Sequence, residues 1–231
     1  MRKYSWLSAF LLLFSAIGQA ETQEDFRLWS NVTAVTNLGR VDERLARWRL
    51  WTEVQNRWRD MAKDADLDQL LVRLGLGYAL TGQLTAWAGY GYIPTFTPAD
   101  KVVNEHRLWQ QLLWVESFGP WHFSSRTRLE ERFIEGAKEL LWRYRQFVRL
   151  SYPLSLDLPV SLVLWDEVFF HLNSASPAIQ SGFDQNRAFL GIGWQPVPTT
   201  RIEAGYLNQF LDLPTLDRVN HIVSLNLFFN F

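Results

Sequence analysis

The 231-residue chain has no cysteine, so it is neither a disulfide-stapled scaffold nor a thiolate metal site. It has no His-x-x-x-His pair and no Asp-rich calcium loop, so no metal and no other cofactor is expected. Beyond residue 20 no stretch holds 18 consecutive apolar residues, which excludes a membrane-spanning helix. Charge of one sign is also missing: the formal net charge is −1, which gives no reason to expect a nucleic-acid partner. A Gly-x-Ser-x-Gly elbow, linker-like segments and tandem repeats are absent as well.

What is present begins with an export signal. Arg2 and Lys3 supply a positive start, Trp6 to Ile17 an apolar stretch, and Gly18-Gln19-Ala20 a small-x-small cleavage site before Glu21. The apolar stretch is too short for a membrane helix, which needs about 20 residues. Residues 1–20 therefore read as a cleavable signal peptide and residues 21–231 as one mature domain.

The mature sequence alternates with a period of two. At its end, His221, Val223, Leu225, Leu227, Phe229 and Phe231 share one face, and Ile222, Ser224, Asn226, Phe228 and Asn230 share the other. Trp48, Leu50, Thr52 and Val54 likewise oppose Arg47, Arg49, Glu53 and Gln55. Similar segments follow around residues 70–78, 84–90, 104–116, 123–133, 142–152, 162–170, 188–194 and 202–206, although Gln110 interrupts the apolar face of its segment. All nine prolines are expected between strands, because proline cannot donate to a ladder. Short connections alternate with longer ones near 59–67, 94–103, 134–139, 173–182 and 211–218.

These features predict an all-β fold, an antiparallel transmembrane β-barrel of about 10–12 strands after the signal peptide. Ten strands follow residue 44, and Asp25–Thr36 makes an eleventh; since bacterial barrels are normally even, that segment is either split, giving the favoured count of twelve, or pairs irregularly or lies inside the lumen. A soluble sandwich would show the same period. Strand lengths suit a tilted membrane crossing, and Trp48, Trp58, Tyr92, Trp142, Tyr152 and Trp194 on the apolar faces suit interfacial aromatic girdles. The expected location is the outer membrane of a Gram-negative bacterium, with outer-membrane lipid around the barrel. The terminal Phe231 is the candidate strand signal for the outer-membrane assembly machinery.

With that register the lumen receives Arg47, Arg49, Arg73, Arg107, Arg126, Arg128, Arg132, Arg143, Arg145, Arg149, Arg187 and Arg201. The same faces carry Glu53, Glu105, Glu130, Glu167 and Glu203, with Trp51, Trp87, Trp109, Trp165 and Phe228 as filling. An arginine turned to lipid at mid-depth would cost about 2–4 kcal/mol, which fixes the facing. Such an interior is either a packed structural core or a narrow, porin-like path that prefers small anions. The alternative class is a lipid-modifying acyl hydrolase, using His122 or His171 with Ser124 or Ser174. Asp166, Glu167, Asp184, Gln185 and Asn186 are expected to form one rim cluster with Arg149 or Arg201.

Several phrases occur in order: Arg126-Thr127-Arg128-Leu129-Glu130-Glu131-Arg132-Phe133, Trp165-Asp166-Glu167-Val168-Phe169, Phe183-Asp184-Gln185-Asn186-Arg187, Glu203-Ala204-Gly205-Tyr206-Leu207-Asn208-Gln209, and Asn220 to Phe231. Together they resemble the bacterial outer-membrane family catalogued as domain of unknown function 2490, from about Phe26 to Phe231. The resemblance implies a β-barrel in a Gram-negative bacterium and carries no activity, cofactor or catalytic residue with it.

Overall fold

The computed structural model describes residues 23–61, 65–154, 158–175 and 179–231, so the expected signal peptide lies outside the described residues. Eleven strands close into a barrel. They are β1 (Gln23–Asn37), β2 (Trp48–Arg59), β3 (Asp66–Ala79), β4 (Leu84–Phe96), β5 (Val102–Phe118), β6 (Trp121–Ile134), β7 (Leu141–Pro153), β8 (Val160–His171), β9 (Gly182–Val197), β10 (Thr200–Leu211) and β11 (Arg218–Asn230). Each pairs antiparallel with its neighbour in sequence. The exception is the closure, where β1 runs parallel to β11 from Gln23 beside Arg218 to Val35 beside Asn230.

The segment near residues 25–36 is thus one unbroken strand, and the expected split into twelve does not occur. An even count is required only when every pair is antiparallel, since hairpins reverse direction at each step. A parallel seam removes that requirement. It also sets the start of β1 beside the β10–β11 connection, where the Gln23 amide donates to the Asp217 carbonyl.

The alternation read from the sequence sets the two faces. Trp29, Asn31 and Thr33 are buried in the lumen while Phe26 and Val32 are exposed outside; Glu105, Arg107, Trp109 and Gln111 are buried while Leu108 and Leu112 are exposed. Polar groups on the outer face bond one another. Gln146 accepts from Thr127 and donates to Ser125, Gln110 donates to Glu131, and the Tyr206 hydroxyl lies 2.6 Å from His221 Nδ1. Gln110 is therefore an outward residue with a partner on the next strand.

Proline departs from expectation at three sites. Pro94, Pro153 and Pro196 lie inside the last residues of β4, β7 and β9. At Pro94 the β3–β4 register skips from Gln69 beside Thr95 to Val72 beside Tyr92, so the missing N–H falls in a gap of that ladder. Strands also run further than read, which shortens most connections at the longer-loop end; 172–181 is the longest there.

Interior volume is matched residue by residue. Gly75 and Gly89 sit opposite each other on β3 and β4, and the Trp109 indole occupies the space a Cβ on either would need. Trp109 in turn packs with Trp51 and Trp87.

Candidate functional site

The lumen holds a ladder of guanidinium–carboxylate pairs, each placed there by strand alternation. Glu130 on β6 has 0 % exposure and accepts from Arg143 (2.6 Å) and Arg145 (2.5 Å) on β7. Glu105 takes Arg107 and Arg132, Glu167 takes Arg126 and Arg145, and Glu203 takes Arg149 and Arg201. Glu53 takes Arg73 and the Trp51 indole N–H. Arg128, 1 % exposed, donates twice to Gln111 and lies over the Trp109 ring. Most carboxylates thus serve two cations, which offsets much of the cost of burying either.

Two expected members sit elsewhere. Arg47 precedes β2, is exposed, donates to the Ala79 and Leu80 carbonyls and covers the Tyr78 ring. Arg49 donates to the Ala46 and Trp48 carbonyls. Both tie the chain end of the barrel together and meet no glutamate among the described residues.

The expected rim cluster does not form, because consecutive strand residues point to opposite faces. Asp166 and Asn186 pair on the outer face at 3.0 Å, whereas Glu167 and Gln185 are buried in the lumen. Asp184 is skipped by the β8–β9 register and turns inward, 3.4 Å from Arg143 and 3.6 Å from His171. Arg149 and Arg201 bind Glu203 instead. A second bulge, at Asp68 on β3, brings that carboxylate to Arg27 (2.7 Å) and Arg59 (3.1 Å).

The proposed serine–histidine pairs are also redistributed. His122 meets Ser117 (3.0 Å), Ser174 accepts from the Ser181 amide, and His171 lies between Arg132 and Asp184. Among the described residues no group of three His, Asp or Glu is placed to hold a metal ion.

Two cavities occupy the lumen. One of about 570 Å³ faces the longer loops and carries Arg27, Arg107, Arg132, Arg143 and Arg218; one of about 900 Å³ faces the opposite end. Trp29, Arg57, Arg73, Arg145 and Arg187 line both, so they form the waist between them. Arg73 and Arg145 are ion-paired, but Arg57 and Arg187 form no ion pair among the described residues. Among the described residues Arg57 donates only to the amide oxygens of Gln55 and Gln69, and Arg187 only to that of Gln185. Neutral acceptors orient a guanidinium without cancelling its charge. Both stack on Trp29, at 4.0 Å and 4.9 Å from its ring centre.

Trp29 and Arg57 were not singled out from the sequence. The alternation that exposes Arg47 to Gln55 on one face simply continues to Arg57 and Arg59, and β1 carries Arg27, Trp29 and Asn31 in the same phase.

Comparison with known proteins gives the family of this chain. The family model described as "Protein of unknown function (DUF2490)" matches residues 26–220. The chain belongs to this family. An uncharacterized protein of Methylorubrum extorquens is 33 % identical over 224 residues, covering 96 % of this chain and 94 % of that protein. Among solved structures, a loop L8 deletion mutant of OmpT, an outer membrane protein of Vibrio cholerae, aligns over 73 % of this chain at 15 % identity and a TM-score of 0.41. The DUF2490 chain spans 58 % of that protein's length.

Proposed function

We propose that this DUF2490 protein is exported through residues 1–20, inserted into the outer membrane of a Gram-negative bacterium by the assembly machinery, and forms a narrow conduit that prefers small anions. The membrane reading rests on the inverted faces. Leu74, Leu76, Leu108, Leu112, Leu190, Ile192, Val223 and Leu225 are exposed outside, while arginines and glutamates are buried inside. Heat-modifiable gel migration of the outer-membrane fraction tests it, since a soluble barrel would not shift.

The observation that carries the anion preference is the waist. Arg57 and Arg187, held by amide oxygens and the Trp29 ring with no ion pair among the described residues, leave net positive charge where the two cavities meet, and a low-dielectric wall strengthens its field. Reversal potentials in a planar bilayer under a KCl gradient should show anion selectivity. Arg57→Gln with Arg187→Gln should move that potential toward zero, and a cation-selective wild type would end the proposal.

The packed-barrel reading has its own support in Glu130 and its four surrounding guanidiniums. Electrical silence of a correctly folded barrel would favour it. For the acyl-hydrolase alternative the relevant contact is Ser117 with His122. Lipid turnover lost on Ser117→Ala would support that reading.

A further inference from the structure

The two cavities differ in chemistry, and the difference specifies a ligand. On the longer-loop side the walls are predominantly polar, with guanidiniums and amides beside Asp68, Asp184 and Asp212. On the other side the 900 Å³ cavity exposes more apolar than polar wall, from Leu113, Phe147, Trp165, Val197 and Phe228, and the charged groups that share it include the ion pairs of Arg126 with Glu167 and of Arg149 and Arg201 with Glu203. Between them stand Arg57 and Arg187, which form no ion pair among the described residues. Arg187 is 8 % exposed, and its terminal nitrogens donate to no protein atom among the described residues. The Trp29 indole N–H, in a side chain 4 % exposed, likewise has no acceptor among the described residues. A chain of amides from Asn220 through Gln209 to Gln185 fixes Arg187 from behind.

We propose that the waist binds the oxyanion head of a single-chain amphiphile, a carboxylate or phosphate, with its acyl tail in the apolar cavity. This rests on the reading of the waist as an anion site and adds the tail. The head gains charge-assisted hydrogen bonds from Arg57 and Arg187. The tail replaces water against Leu113, Phe147 and Phe228. A small inorganic anion would satisfy only the first requirement and leave the apolar walls wet. An uncharged chain would satisfy only the second and leave Arg57 and Arg187 without an ion-pair partner.

The experiment uses the full mature barrel folded in amphipol, so that detergent does not compete, with heat-modifiable migration as the folding control. Calorimetric titration compares dodecanoate, dodecyl phosphate, dodecanol and acetate. Dodecanoate or dodecyl phosphate should bind, and the stronger of the two identifies a free fatty acid or a phospholipid-derived head as the source. Affinity should climb from octanoate to dodecanoate, by up to about fourfold per methylene buried. Arg57→Gln with Arg187→Gln should weaken binding by about tenfold or more. Dodecanol or acetate binding as tightly as dodecanoate would overturn the proposal, as would an unaffected double variant. Anion-selective current without dodecanoate binding would remove the ligand and leave the conduit; binding without current would do the reverse.

Discussion

Glu130 illustrates how single residues hold this interior. Its carboxylate has no exposed surface and accepts from Arg143 and Arg145, with Arg107 and Arg128 within 3.9 Å. Glu130→Gln removes the charge that four guanidiniums share, and breaking one side of a buried pair costs about 3–5 kcal/mol. Urea unfolding of the lipid-reconstituted barrel should show a loss of that size. Glu135→Gln, at the exposed loop where the carboxylate accepts from Asn104, should leave stability nearly unchanged. Inward residues such as Glu130, Arg143 and Glu203 were legible from alternation alone. Their partners were not, because period two reports the face a residue points to and not which strand it meets.

At the scale of elements, the β3–β5 wall depends on two glycines that admit one indole. Gly89→Val would set a branched side chain both in the volume of the Trp109 ring and against the Leu74 carbonyl of β3. Overpacking of this kind costs about 1–3 kcal/mol, and Trp109→Leu in the same chain should recover part of it. The midpoint of thermal or urea unfolding measured on the two single variants and the double variant checks both statements. Bulges were the elements the sequence concealed. Asp68 and Asp184 each lie in a polar stretch whose local pattern admits either face, and the register shift that turns them inward comes from how the neighbouring strand pairs. The rim cluster failed for the related reason that four consecutive polar residues on a strand are divided between its two sides.

For the whole molecule, the decisive property is that the apolar surface is outside. Leu225, near the middle of β11, is 40 % exposed, and its neighbour Ser224 is buried in the lumen. Leu225→Arg should therefore destabilise the barrel in lipid by about 2–4 kcal/mol, whereas a soluble barrel would tolerate it as a surface change. Unfolding in bilayers of Leu225→Arg beside Leu225→Phe distinguishes the two.

The sequence by itself determined the alternation, and with it the all-β class, the inward arginines, the outward leucines and the family, because side-chain facing on a strand is a local property of period two. Tertiary structure alone decided the odd strand count, the parallel β1–β11 seam and the assignment of each arginine to its acid. It also decided that, among the described residues, Arg57 and Arg187 form no ion pair and donate to amide oxygens instead. Those are relations between strands far apart in the chain, fixed when the sheet closes and sets one register against another.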